Sequence, residues 1–337
     1  MIQKNILLVS FFILLLPCSV FSQLLNYQYI EGFAQGSFYH ITYGNSVGKN
    51  LKVEVDSILK AYDKVMSIYD STSIISRINN NDPGVRVNDQ FIYLFNIAQE
   101  VSRNSNGAFD VTVGPLVNAW GFGPTKGKQT DSIQIKKLLK VVGYQKVKLS
   151  GNKLIKEYPG TKLDFNAIAQ GYSVDVVASY FDKSGIQNYL IEIGGELKTK
   201  GLNSKAQEWR VGIDKPIDRM EPGVEMEAIL KLNNLAVSTS GNYRKFKIEN
   251  GVKYGHHIDP HSGYPTRNNI LSATVVADKC IIADAYATAF LVLGLESAKK
   301  LADQLKLDVL FIYSDEKGNF CDYSTPNVKN MLEIIKK

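Results

Sequence analysis

The stretch from Cys280 to Gly294, CIIADAYATAFLVLG, constrains this chain more than any other. Its apolar residues recur at helical spacing, and Gly294 offers a C-terminal stop. It is small and apolar almost all round, with Ala283, Ala285, Ala287, Ala289, Leu291 and Leu293, and such a helix belongs in a core. Yet it carries Asp284 and Thr288, four residues apart and so one turn from each other on one face. A buried carboxylate needs a cation, a metal or several donors. Two readings stand at this point. Asp284 caps neighbouring backbone while Thr288 bonds back to its own helix, or the pair faces a bound ion.

The remaining sequence must supply a core large enough for this helix, and it can. With 337 residues and 45% hydrophobic content, the chain suits one large unit or two intimate subdomains,. The net charge of +6 is spread thinly. Lysines form no runs, which excludes a nucleic-acid stripe, and the mild basicity suits an anionic small ligand.

The N-terminus reads as a secretory signal peptide over residues 1–22: Lys4, a compact apolar run from Ile6 to Leu16, then small residues at Val20 and Ser22 before Gln23,. The run is short for a membrane span. Cleavage near Ser22 makes the protein exported and periplasmic, with residues 23–337 as the mature unit. Cys18 raises a lipoprotein alternative with membrane association, ranked second because Pro17 fits a lipid-attachment site poorly. Only Cys280 and Cys321 then remain, too few for a disulfide framework, and no Cys/His spacing fits structural zinc.

Taken in order, Tyr27 to Tyr43 alternates like a hairpin, and Leu51 to Tyr69 is an amphipathic helix. Ser73 to Asn81 is polar. A second helix starts from an Asn88 or Asp89 cap and ends near Gly107. Gly107 to Pro124, GAFDVTVGPLVNAWGFGP, reads as neither helix nor strand. Its glycines permit close backbone approach and its rings offer contact area, yet a buried aromatic loop has the same composition. Asp131 to Val142 is a third helix, followed by two short strands from Lys146 to Ile155. A helix beginning around Ala167 opens with small residues, which leaves its free amides accessible. Tyr189 to Lys200 is strand, Gly194-Gly195 turn, strand. Further strands lie at Trp209 to Ile213, Ala228 to Leu232 and Ile270 to Ala277. Ser238 to Asn242 reads as a loop of short donors, and Lys253 to Pro265 holds three of the four histidines with Asp259. A short helix to Leu305, a strand at Val309 to Tyr313 and an amphipathic tail close the chain. Strands often follow one another directly, so the expected class is α+β: mixed, largely antiparallel sheets with flanking helices. Neither a GxGxxG turn nor a Walker loop is present.

Together these segments resemble the ApbE family of exported flavin transferases. The residues that carry the resemblance are GSFYHI at Gly36, MSIYDSTSIISRIN at Met66, the Gly107 to Pro124 segment, LDFNAIAQGYSVD at Leu163, IEIGGE at Ile191, VSTSGNY at Val237, HHIDPHSGYP at His256 and ADAYATA at Ala283. They stand in the family's order across nearly the whole mature chain. The resemblance implies an ApbE/T-fold-like architecture and an FAD:protein FMN transferase. Such an enzyme uses Mg²⁺ to move the FMN moiety of FAD onto a Thr or Ser hydroxyl of another exported protein, releasing AMP. Implied acceptors are exported flavoproteins such as quinone reductase or electron-transfer complex subunits.

Carried over residue by residue, the resemblance implies metal ligands at Ala167 (carbonyl), Asp284 (carboxylate) and Thr288 (hydroxyl). It implies flavin contacts at Gln35, Tyr69, Ala108, Phe109, Asp110, Gln170 and His257, with the Gly194-Gly195-Glu196 and Ser238 to Asn242 loops completing the pocket. Tyr69 and Phe109 suit ring contacts, and Asp110 suits acceptance from a ring donor. His256 is the first candidate for the base that takes the target's proton, and Asp284 the second. There are departures from the family's pattern: Gln170 for Lys, Gln35 for Met, His257 for Ile and Ser262 for Thr. Two competing functions use the same residues: an FAD pyrophosphatase with water as acceptor, and a periplasmic FAD-binding protein.

Overall fold

The structure is a computed structural model that describes residues 25–46, 48–124, 131–217, 224–243, 246–249 and 252–333. The signal segment read over residues 1–22, with Cys18, lies outside the described residues. The expected hairpin forms as β1 (Asn26–Ala34) and β2 (Ser37–Asn45), paired from Asn26↔Asn45 to Ala34↔Ser37. Both residues of its tip, Gln35 and Gly36, have positive φ, 54° and 74°. A two-residue turn of that hand matches the twist of paired strands.

Helices follow. α1 (Lys52–Met66) buries Val55, Leu59, Tyr62, Val65 and Met66 along one stripe. α2 (Ile74–Asn79) occupies the stretch read only as polar, and Ser73 caps it by accepting the Ser76 amide,. α3 (Asp89–Asn104) starts from the expected Asn88 cap. α4 (Gly114–Ala119) lies inside the glycine-aromatic segment where no helix was read; Pro115 in its first turn pre-sets the backbone,. α5 (Ser132–Leu139) is capped by Asp131, and β3 (Val147–Ser150) pairs with β4 (Lys153–Lys156). α6 (Ala169–Lys183) begins two residues later than the sequence indicated, which leaves Ala167 in the turn ahead of it.

β5 (Asn188–Ile193), β6 (Glu196–Lys200), β7 (Trp209–Asp214), β8 (Met226–Leu232), β9 (Ala236–Gly241), β10 (Phe246–Glu249), β11 (Val252–Gly255) and β12 (Ile270–Ala277) come next. α7 (Cys280–Leu293) is the helix that the small apolar stretch demanded, with Gly294 at φ 76° after it. α8 (Leu295–Leu305) and β13 (Asp308–Ser314) follow. The amphipathic tail resolves into β14 (Phe320–Ser324), α9 (Pro326–Met331) and β15 (Leu332–Glu333).

The main sheet has eight strands in the order β1-β2-β5-β6-β9-β12-β13-β14. Each neighbouring pair is antiparallel, so the α+β expectation holds. Alternate residues of a strand point to opposite faces, and two cores form accordingly. Ala273, Val275, Val309 and Phe311 pack with α7 and the helical layer. Val276, Leu310 and Ile312 pack instead with Val211, Ile213, Leu230 and Leu232 of the small sheet β15-β8-β7. α7 thus lies between the main sheet and helices α3 and α6, and ten of its residues are buried. Its scarcity of polar residues follows from that burial,.

Candidate functional site

Two helices cross where Asp284 sits. A Cβ built on Gly171 of α6 would lie 2.5 Å from the Cys280 carbonyl oxygen and 2.6 Å from Asp284 Cβ. Glycine is therefore what lets α6 and α7 touch backbone to backbone. The contact brings the Gly171 amide to Asp284 Oδ2 at 2.9 Å. Asp284 is 4% exposed. Burial raises its pKa to about 7, and the Gly171 hydrogen bond opposes the shift,. One backbone donor is thin compensation for a buried carboxylate, so the site favours a cation.

Neutral oxygens accompany that carboxylate. Ala167 stands one helical turn before Gly171, whose amide goes to Asp284. Among the described residues no backbone amide donates to the Ala167 carbonyl. Thr288, one turn along α7, has its Oγ1 3.2 Å from Ser240 Oγ on β9. No group of three His, Cys, Asp or Glu residues suited to a metal occurs among the described residues. The expected ligand set contains only one such residue. One carboxylate with a carbonyl and a hydroxyl is an all-oxygen donor set, which fits a hard cation that keeps other ligands from water or phosphate.

Around this point the structure gathers several of the expected flavin positions. Gln35, in its left-handed turn, accepts from Ser173 Oγ of α6 at 3.2 Å through Oε1, while its buried Nε2 has no partner among the described residues. Gln170 lies against Gly194 so closely that a Cβ there would stand 2.3 Å from Gln170 Nε2. Tyr69, 66% exposed, follows α1 and faces Asp164 and Asn166. Burial and the charge of Asp164 raise the phenol's pKa, and a hydrogen bond with Asn166 opposes them. Asp164 was not singled out from sequence. It is 7% exposed, its pKa is raised by burial, and its Oδ1 accepts the Asn166 amide at 2.9 Å.

The Ala108-Phe109-Asp110 run has a different character. All three residues are buried, and the Phe109 ring packs within the helical core rather than offering an open face. Asp110 accepts from Thr112 N (2.7 Å), Thr112 Oγ1 (2.6 Å) and Tyr144 N (2.7 Å). Burial still raises its pKa against those bonds. Its carboxylate is committed to fixing the loop.

The histidine loop joins the site through β9. Ser238, Thr239 and Ser240, read from sequence as a loop, are strand residues opposite Val275, Thr274 and Ala273. Short polar side chains obscured that, since strand signals rest on β-branched and aromatic residues. Two residues after Ser240, Asn242 Oδ1 accepts from His257 Nδ1 at 2.7 Å. The His256 and His257 rings are 4.0 Å apart, and Phe122 meets His256 edge-on at 6.4 Å. Trp120 Nε1 donates to the Gly263 carbonyl at 2.8 Å, so the glycine-aromatic segment braces this loop. A cavity of about 540 Å³ opens between Asp259–Asn268 of the loop and Val292–Leu293 of α7, one turn beyond Thr288.

The model of the ApbE family matches residues 35–311. The chain is 35% identical over 314 residues to an FAD:protein FMN transferase of Vibrio cholerae, covering 90% of this chain and 92% of that protein. It is 36% identical over 318 residues to one of Haemophilus influenzae, covering 90% and 91%. Among solved structures, the flavin transferase ApbE from Vibrio cholerae superposes with a TM-score of 0.83 at 33% identity, covering 91% of this chain and 99% of that one. The apo flavinyl transferase ApbE of Pseudomonas stutzeri gives 0.80 at 32% identity, covering 91% and 97%. A family model and full-length relatives that agree in both sequence and fold leave one assignment: the chain belongs to the ApbE family.

Proposed function

We propose that this protein transfers the FMN moiety of FAD onto a Thr or Ser hydroxyl of an exported flavoprotein, releasing AMP, with Mg²⁺ at the Ala167–Asp284–Thr288 oxygens. The observation that carries the reading is the buried Asp284 carboxylate, which takes the Gly171 amide, while no backbone amide among the described residues donates to the Ala167 carbonyl. The named activity of the full-length relatives supports it. Exported, periplasmic placement is part of the proposal and rests on the leader-like residues 1–22.

In the transfer, the acceptor oxygen forms a bond to the FMN phosphorus while the bond from that phosphorus to the AMP oxygen breaks. The hydroxyl proton leaves to a base, and AMP departs as an anion. When bound, Mg²⁺ neutralises pyrophosphate charge, the largest need in phosphoryl transfer. The chain's own residues do the remaining work. Asp284, Thr288 and the Ala167 carbonyl fix the oxygen cage. Gln35, Gln170 and Tyr69 line the approach to it at the α6 entrance, and Asp164 adds a buried acceptor there. His256 takes the acceptor's proton, and His257, tied to Asn242, holds the loop that presents it,. Tyr69 screens the phosphorus from water.

The test is incubation of the purified protein with FAD, Mg²⁺ and an exported flavoprotein domain carrying a candidate Thr. A gain of one FMN in the acceptor's mass supports transfer. Free FMN and AMP beside an unmodified acceptor would make the protein a pyrophosphatase, and FAD bound uncleaved would make it a flavin-binding protein.

A further inference from the structure

Asp175 lies one turn beyond Gly171 on α6, outside the residues assigned to metal or flavin. Its carboxylate accepts the first two amides of α7, Cys280 N on Oδ1 at 3.1 Å and Ile281 N on Oδ2 at 2.9 Å. Lys198 Nζ on β6 stands 3.1 Å from the same Oδ1 and also donates to the Asp278 carbonyl, 3.1 Å away, just ahead of α7. The two side chains are only 13% and 19% exposed. The residue that should cap α7 from its own sequence, Lys279, has extended backbone and makes no side-chain cap.

The first amides of a helix need acceptors, which a neighbouring Ser, Thr, Asp or Asn ordinarily provides. Here the acceptor comes from another helix, 105 and 106 residues away in the chain. A local cap at position 279 would satisfy one of these amides, that of Ile281, and leave α7 free to shift along α6,. The cap from Asp175 does not, because it ties the start of α7 to the turn that follows Gly171. α6 therefore grips α7 at two successive levels, Asp175 on Cys280 and Ile281, then Gly171 on Asp284. A well-formed metal site keeps its ligand distances within about 0.2 Å of the usual values.

We propose that Asp175, with Lys198 behind it, is a positioning residue: it sets the register of α7 on α6, and so where Asp284 and Thr288 stand relative to the Ala167 carbonyl. The inference rests on the reading that these oxygens hold a divalent cation.

The test uses the mature chain loaded with FAD and follows Mn²⁺ binding through the paramagnetic signal of the free ion, so no turnover is needed. Asp175→Ala should weaken Mn²⁺ binding about tenfold, the scale of losing a partner that orients a ligand. FAD affinity without metal should hold, and Asp175→Asn should recover part of the loss. The decisive variant is Asp175→Ala with Lys279→Ser, which gives α7 a local cap. It should regain part of the lost thermal stability and leave Mn²⁺ affinity low. Recovery of both would reduce Asp175 to an ordinary cap and overturn the proposal, as would unchanged Mn²⁺ affinity in Asp175→Ala. If Asp175→Ala does not fold, Lys198→Met keeps the cap and loosens its tie to β6; weaker Mn²⁺ binding supports the proposal, and unaltered binding overturns it. Absence of FAD-dependent Mn²⁺ binding in the unaltered protein would remove the metal reading itself, and the inference with it.

Discussion

The Gly171 amide donates to Asp284 across a helix crossing that leaves no room for a side chain at position 171. One contact thus does two things. It spaces α6 from α7, and it diverts a backbone donor from the Ala167 carbonyl to the carboxylate.

Gly171→Ala tests the spacing. The added methyl meets the Cys280 carbonyl at 2.5 Å, a backbone atom that cannot swing away. We expect a loss of about 1–3 kcal/mol in denaturant unfolding, together with weaker divalent-cation binding. Unchanged stability would mean that the crossing relaxes freely.

The raised pKa of Asp284 predicts a pH dependence of stability in metal-free protein. Between the ordinary carboxylate value of 3.8 and about 7, the folded chain holds a proton that the unfolded chain has released. Stability from this group therefore falls as pH rises through that window and levels off above it. Asp284→Asn should remove the slope and melt higher than the unaltered protein at about pH 8 without metal. Mg²⁺ should reverse the order there, since it stabilises the ionised carboxylate. Melting curves across the window, with and without Mg²⁺, check both signs.

Removal of the ligand set should stop the chemistry. Asp284→Ala should abolish Mg²⁺-dependent FMN transfer, and chelation of the metal should do the same reversibly. Thr288→Val keeps the shape and removes one oxygen, so the Mg²⁺ concentration for half-maximal rate should rise about tenfold. Normal turnover in Asp284→Ala would take that residue out of the metal site.

His256 and His257 should separate in kinetics. His256→Ala should lower the rate of transfer by about 10²- to 10⁴-fold, the usual worth of a general base, with FAD binding intact. His257→Ala leaves Asn242 Oδ1 without its ring donor and should loosen the loop, raising the FAD concentration needed more than it lowers the maximal rate. Rate constants at saturating FAD and acceptor distinguish the two.

Tyr69 is exposed beside Asp164 and Asn166 at the entrance to α6. Tyr69→Ala should admit water, so that free FMN rises relative to FMN on the acceptor. An unchanged ratio would assign the screening elsewhere.

Much of the fold was legible in local pattern. The β1–β2 hairpin, α3 from its Asn88 cap, and α7 from its composition are each encoded within one stretch of chain, where periodicity and capping act. Weaker local signals misled. α4 begins with Gly and Pro in a segment rich in both, and β9 is built from Ser and Thr, which also make turns,. At the candidate site, motif order indicated Asp284, Thr288, Gln35 and Gln170, and missed Asp164 and Asp175. A lone Asp on a helix or before one has the same sequence appearance whether it faces solvent or a neighbouring backbone.

By itself the sequence determined that α7 would be buried and that Asp284 would need a partner, because burial of small apolar residues and the cost of a buried charge are properties of the residues. Only the tertiary structure decided which partner came. Gly171 is 113 residues from Asp284, and Asp175 is 105 from Cys280. Hydrogen bonds of this kind depend on angstrom-scale approach between elements distant in the chain. That approach is set by the packing of α6, α7 and β6 against the main sheet.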